Sequence, residues 1–174
     1  MKVIFLLLVV LVAACNRDQA DDLFNHTLSL AEAGYPAAQF QLGAMYDTGE
    51  GIGIDITEAI VWYQKAAEQG LPEAQYNLGY MYLTGKGVPI DQSKAFKWYF
   101  KAAEQGLADA QYNLGMMFHN EEDAVSHFAN AYLQAIRFTR MAAEQGHLGA
   151  QYNLAVWYGS GAGPERDDAE AFKW

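Results

Sequence analysis

Cysteine is nearly absent. The single residue of that type, Cys15, cannot close an internal disulfide, and a Cys-rich zinc site is excluded. Positive charge is scarce: 11 Lys and Arg stand against 21 Asp and Glu, a formal net charge of −10. Phosphate binding needs a basic surface, so no nucleic-acid partner is expected. Motifs of catalysis are missing as well. Ser29, Ser93, Ser126 and Ser160 are followed three residues on by Glu32, Phe96, Ala129 and Gly163, so no Ser-x-x-Lys occurs. There is no His-Glu-x-x-His and no phosphate-binding loop. No catalytic residue, resident metal or cofactor is expected, and the chain does not read as an enzyme. Proline is rare, at 4 residues, whereas glycine is not, at 16. With 52% hydrophobic and 18% charged residues the composition is that of a folded protein.

The only long apolar run, Val3 to Ala14, follows Lys2 and ends at Cys15. As a helix it would extend about 18 Å, well short of a hydrocarbon core of about 30 Å. It therefore reads as the core of a signal peptide, residues 1–14, and not as a membrane span. Ala13-Ala14-Cys15 resembles the bacterial lipobox, which implies lipidation of Cys15 and a short tether over 15–21. Asn16 in place of Asp resembles the sorting signal for the outer membrane. The mature chain would carry 10 basic and 21 acidic residues, so the lipid and not the protein surface would hold it at the membrane. The expected location is the cell envelope, facing the periplasm.

The rest of the chain is repetitive. AEAGYPAAQFQLG starts at Ala31, AEQGLPEAQYNLG at Ala67, AEQGLADAQYNLG at Ala103 and AEQGHLGAQYNLA at Ala143, in steps of 36, 36 and 40 residues. Whole blocks recurring at such a period indicate a solenoid. The units are a half-repeat over 22–34, repeats over 35–70 and 71–106, a third over 107–146 with four inserted residues, and a shortened fourth over 147–174. Each unit reads as two helices. Gly34, Gly70, Gly106 and Gly146 stand where a helix ends on a left-handed residue, and Pro36 and Pro72 where the next one starts. Asp55, Asp91 and Asp167 sit at N-cap positions, two of them with Glu three residues later. Ala74, Gln75, Leu78, Met81 and Tyr82 make a buried stripe, with Gly79 admitting a close neighbour, and the second helix carries Ala95, Trp98, Ala102 and Ala103. Trp174 aligns with Trp62 and Trp98, where the fourth repeat stops, so Leu154, Trp157 and Tyr158 are expected to be only partly covered.

The pattern A-x-x-x-L-G-x-x-Y, then G-x-G-V, then Asp, then K-A-x-x-W-Y-x-K-A-A-x-x-G resembles the Sel-one-like repeat family, relatives of tetratricopeptide repeats. The resemblance implies an all-α, right-handed α-solenoid of antiparallel helix pairs that binds other proteins. Some secreted relatives are linked to β-lactam chemistry, but they are rich in cysteine pairs, which this chain lacks.

The face of each first helix opposite the buried stripe is the candidate binding surface: Phe40 and Gln41; Tyr76, Asn77 and Tyr80; Tyr112, Asn113 and Met116; Tyr152, Asn153 and Val156. Tyrosines offer large contact area at low entropic cost, and amides can bind a peptide backbone. Consensus packing between repeats accounts for the same residues equally well. Repeat 3 loses its turn glycines, and Asn120-Glu121-Glu122-Asp123 predicts the start of one long helix over 121–145. Ala124, Val125 and Phe128 would lie on its projecting tip, with Phe128 a further partner contact or a residue packed back on the 84–90 turn. His119, Glu122, Asp123 and His127 lack the tight spacing of a metal site, and His26 and His147 read as solvated surface. The expected role is a lipid-anchored periplasmic scaffold or adaptor for proteins in envelope assembly, secretion or signalling. The alternative is a module binding a non-protein envelope ligand, such as a peptidoglycan peptide or an exported polysaccharide; the resemblance extends to some outer-membrane relatives that serve polysaccharide export.

Overall fold

Alanine, leucine and glycine recur at helical spacing along this chain, and the computed structural model turns that spacing into helix pairs. It describes residues 21–119, 131–161 and 166–174. The described residues form nine helices and no strand: α1 (21–32), α2 (Pro36–Thr48), α3 (Ile56–Glu68), α4 (Pro72–Thr84), α5 (Gln92–Glu104), α6 (Ala108–His119), α7 (Ala131–Glu144), α8 (Leu148–Ser160) and α9 (Asp168–Lys173). The fold is all-α. Helices α2 and α3, α4 and α5, and α5 to α8 in succession pack as neighbours, and the short loops after α5 and α7 make those pairs antiparallel. No described helix is long and apolar enough to cross a membrane. Cys15, and the 120–130 segment with Asn120, Glu121, Glu122, Asp123, Ala124, Val125, His127 and Phe128, lie outside the described residues, as does the predicted N-terminal part of the long helix.

The helix boundaries follow the local chemistry. Pro36 sits in the first turn of α2, where a missing N–H costs nothing. Gly106 and Gly146 follow α5 and α7 with φ of +93° and +88°, a region that a Cβ would disfavour. The Asp55 carboxylate accepts from the N–H groups of Thr57 and Glu58 at 3.0 and 3.1 Å, and Asp167 repeats this for Ala169 and Glu170. Asp91 accepts from Lys94 N–H at 2.9 Å, and this bond holds its carboxyl below the usual value. Each capping Asp is itself tied down. The N–H groups of Asp55, Asp91 and Asp167 donate to the carbonyls of Tyr46, Tyr82 and Tyr158 at 2.9 to 3.0 Å, closing the loop between the two helices of a pair.

The chain divides into two compact units, Met1–Leu71 and Pro72–Trp174. In the first, Ala31, Ala38, Leu42 and Trp62 form a core against which Phe24, Leu28 and Tyr46 pack. In the second, the fully buried Ala95, Tyr99, Ala102, Ala110, Leu114, Ala135, Ala142 and Leu154 form the centre. Phe118 and Phe138 stack beside them, 5.9 Å apart and nearly parallel.

Glycine and glutamine do the close packing. A Cβ on Gly79 would stand 2.7 to 3.0 Å from three ring atoms of Tyr99, so the tyrosine occupies the space that the glycine leaves. Gly43 receives the Tyr63 ring in the same manner, and Gly115 receives Thr139, which replaces tyrosine there. Among the glutamines of the AQ pairs, the buried Gln39 and Gln111 are satisfied at both ends. Gln39, Gln111 and Gln151 donate to the carbonyls of Ala31, Ala103 and Ala143 at 3.1 to 3.2 Å. The Oε1 atoms of Gln39, Gln75 and Gln111 accept from Gln69, Gln105 and Gln145 at 2.7 to 2.8 Å. Pairing matters here because an unsatisfied buried polar group costs about 1–3 kcal/mol.

Two expectations are corrected. Leu154, Trp157 and Tyr158 are buried, at 0%, 5% and 8% exposure, and not partly covered. The short α9 brings Ala171 and Trp174 against this core. Arg140 fastens it, donating to the Tyr158 hydroxyl at 2.6 Å and to Glu170 at 3.2 Å, and the Trp174 indole N–H donates to the same carboxylate at 3.3 Å. His147 is not solvated surface. Its Nδ1 accepts from Ala150 N–H as the N-cap of α8, its Nε2 lies 3.3 Å from Asp109, and its ring stacks on Tyr112 at 4.4 Å.

Candidate functional site

On α4, α6 and α8 the residues opposite the buried stripe form rungs within the second unit. Tyr76, Tyr112 and Tyr152 occupy one position of the three helices, Asn77, Asn113 and Asn153 the next, and Tyr80, Met116 and Val156 one turn further on. Leu78, Leu114 and Leu154, fully buried on the other side, fix which face is left outward.

The rungs differ in depth. Tyr80, Tyr152 and Val156 are exposed, at 46%, 69% and 43%. Tyr76, Tyr112 and Met116 are half-buried. Tyr76 packs on the Tyr99 ring at a centroid distance of 5.6 Å, and burial raises its hydroxyl pKa, with the Asp109 carboxylate adding to the effect. Tyr112 is held from behind by His147. In the first unit Phe40 lies 5.6 Å from the Tyr63 ring, half-buried, and Gln41 beside it is exposed.

Asn153 links its rung to the previous one. The Asn153 amide donates to the Tyr112 hydroxyl at 3.4 Å and lies 3.0 Å from the Met116 sulfur. Asn113 is half-buried at the equivalent place one repeat earlier. An amide nitrogen has two N–H donors, so Asn153 spends part of its capacity inside the protein. Sequence spacing put the asparagines on the outer face but did not indicate these bonds.

The arrangement is suited to contact and not to bond making. Among the described residues no group of three or more His, Cys, Asp or Glu converges as a metal site would require. His119, considered above with the acids that follow it, stacks on Trp157 at 4.4 Å.

Comparison with known proteins agrees with this architecture. The Sel1 repeat model matches residues 36–71, 72–107, 108–147 and 149–174. A protective antigen of uropathogenic Escherichia coli displaying an SLR fold is 39% identical, with a TM-score of 0.81 over 87% of this chain and 32% of that one. A Sel1 repeat protein from Oxalobacter formigenes is 37% identical, with a TM-score of 0.71 over 80% of this chain and 54% of that one. A putative Sel1 repeat protein from Klebsiella pneumoniae is 25% identical, with a TM-score of 0.58, covering 86% and 70%. The chain thus spans about a third and about half of the length of the first two. Comparison with curated proteins gave no match. The helix pairs are those of a Sel1 solenoid, a scaffold that generally mediates protein–protein interaction and is generally non-catalytic. With matches along the chain from residue 36 to its end, the protein belongs to the Sel1 repeat family.

Proposed function

We propose that the protein is a lipid-anchored adaptor of the bacterial cell envelope, facing the periplasm from the outer membrane, and that it holds protein partners on its first-helix faces for envelope assembly, secretion or signalling. The observation that carries this is the exposed aromatic and aliphatic rung set, with Tyr80 and Tyr152 at 46% and 69% exposure above a rigid buried layer. Rigidly backed tyrosines are the side chains that anchor protein interfaces. Asn153 is partly engaged within the protein, which leaves fewer amides for the dense hydrogen bonding a polysaccharide would need and favours a protein partner. The envelope reading rests on the apolar run that ends at Cys15. The E. coli relative is a protective antigen, a role that agrees with export.

Two experiments test the two halves. A photoreactive amino acid placed at Tyr80 or Tyr152 in the living cell should give discrete protein adducts. Adducts with glycan alone would replace this reading by the polysaccharide alternative. Cys15→Ser should leave the protein unprocessed or release it from the envelope membranes. If the variant still fractionates with the outer membrane, Cys15 is not the anchor.

A further inference from the structure

The outer face of α5 has a character that the repeat does not require. Lys94, Lys97 and Lys101 are spaced at three and four residues, so they lie on one helix face. They flank an open groove of about 460 Å³, whose apolar wall is Tyr82 of α4 with Phe96, Trp98 and Phe100 of α5. Among the described residues no acidic one lines it. Lys94 lies 5.0 Å over the Tyr82 ring and Lys101 4.5 Å over that of Trp98, so two ammonium groups are held against the aromatic wall. Lys94 also reaches Asp91 at 3.5 Å, whereas Lys97 is exposed and makes no ion pair among the described residues.

The corresponding helix of the preceding repeat shows what the fold itself needs. α3 has the same length and the same buried alanines, yet Glu58, Val61 and Lys65 stand where α5 has its three lysines. Ile60 and Gln64 stand in the places of Phe96 and Phe100. One position has therefore reversed its charge, another has gained one, and two have become aromatic without any change in the helix. In a chain of net charge −10, this concentration of cations is local and has no counterpart in α3.

We propose that this groove docks an acidic peptide segment bearing apolar side chains: its carboxylates meet the lysine row, and a leucine or phenylalanine fills the aromatic groove. Charge complementarity selects the occupant. A long polyanion or an anionic membrane would bring its charge within a Debye length of the acidic remainder of the protein, about 8 Å at physiological salt, whereas a short segment meets the lysines alone. This surface is separate from the first-helix rungs, and its test does not depend on them.

The test uses the full chain and a short fluorescent peptide of Glu, Leu and Phe at helical spacing, read by anisotropy. Lys97→Val and Phe100→Gln install the residues that α3 carries at the same positions; the exposed Lys97 should leave the melting temperature unchanged, whereas Phe100 packs on Phe96 and Phe138, so its variants are compared well below their own melting temperature. Each should weaken binding about threefold or more, and together about tenfold, as expected for an exposed charge and part of an apolar contact. Added salt should weaken the wild type more than the Lys97→Val variant. The proposal is overturned if the peptide does not bind, if the double variant binds it as well as the wild type, or if a peptide with Lys for Glu binds equally. Tighter binding to phosphatidylglycerol vesicles, lost in the same variants, would assign the groove to lipid instead.

Discussion

Gly79→Ala adds one methyl group at the closest approach of α4 to α5. The added Cβ would stand 2.7 Å from Cδ1, 2.8 Å from Cε1 and 3.0 Å from Cγ of Tyr99, against ordinary carbon separations of about 3.5–4.0 Å. Tyr99 has no room to retreat: it is fully buried and backed by the Tyr76 ring. Overpacking of this kind costs about 1–3 kcal/mol. Alanine returns up to about 1 kcal/mol through its better helix propensity. With the full return the net expectation is a loss of up to about 2 kcal/mol, or up to several degrees in melting temperature for a chain of this size. Gly53→Ala, in the loop between α2 and α3, is a control for an added methyl without a clash, because a Cβ there meets nothing within 4 Å and the residue is not left-handed. The assay is thermal unfolding followed by circular dichroism. Higher stability of Gly79→Ala than of wild type would refute the claim that this glycine exists to seat Tyr99.

Further outcomes follow from the same packing. Gln111 and Gln145 should be coupled by at least about 0.5 kcal/mol in a double-mutant cycle of Gln111→Leu with Gln145→Ala, whereas additive effects would mean the relay between them contributes nothing. Burial raises the phenol pKa of Tyr99, and it pushes that of Tyr132 up to about 12, while the unfolded chain titrates near 10. Stability should therefore be fully retained below about pH 10 and lost as pH rises toward the folded value of about 12, because only the unfolded phenols ionise in that window. Tyr99→Phe should flatten this alkaline loss in an equilibrium denaturation series, and an unchanged slope would contradict the assignment.

Much of the fold was legible because its devices repeat. Recurring AEQG and AQYNLG blocks expose the helix pairs, and Asp55, Asp91 and Asp167 announce their helix starts by local chemistry alone. The outward position of Tyr80 and Tyr152 also followed from helical spacing against Leu78 and Leu154. What escaped depends on partners far apart in the chain. Gln39 and Gln69 recur visibly, but nothing local says that residues 30 apart share a hydrogen bond. His147 stands where the earlier repeats have Leu71 and Leu107, and its capping and stacking depend on Asp109 and Tyr112 of the previous repeat. The burial of Trp157 and Tyr158 was missed because the short α9 seemed too small to cover them, and its attachment through Arg140 is again a long-range contact. The α5 groove emerges only when side chains from α4 and α5 are seen together.

The central claim is that protein partners bind on the first-helix rungs, and it meets its most direct test in the affinity of the Tyr80→Ser, Tyr152→Ser double variant for the protein captured by cross-linking at those positions. Both side chains are exposed, so the melting temperature should stay at the wild-type value. If they anchor the interface, losing both should weaken binding at least about tenfold, at about 1 kcal/mol or more for each tyrosine. Wild-type affinity in the double variant, at unchanged stability, would place the partner elsewhere and contradict the account.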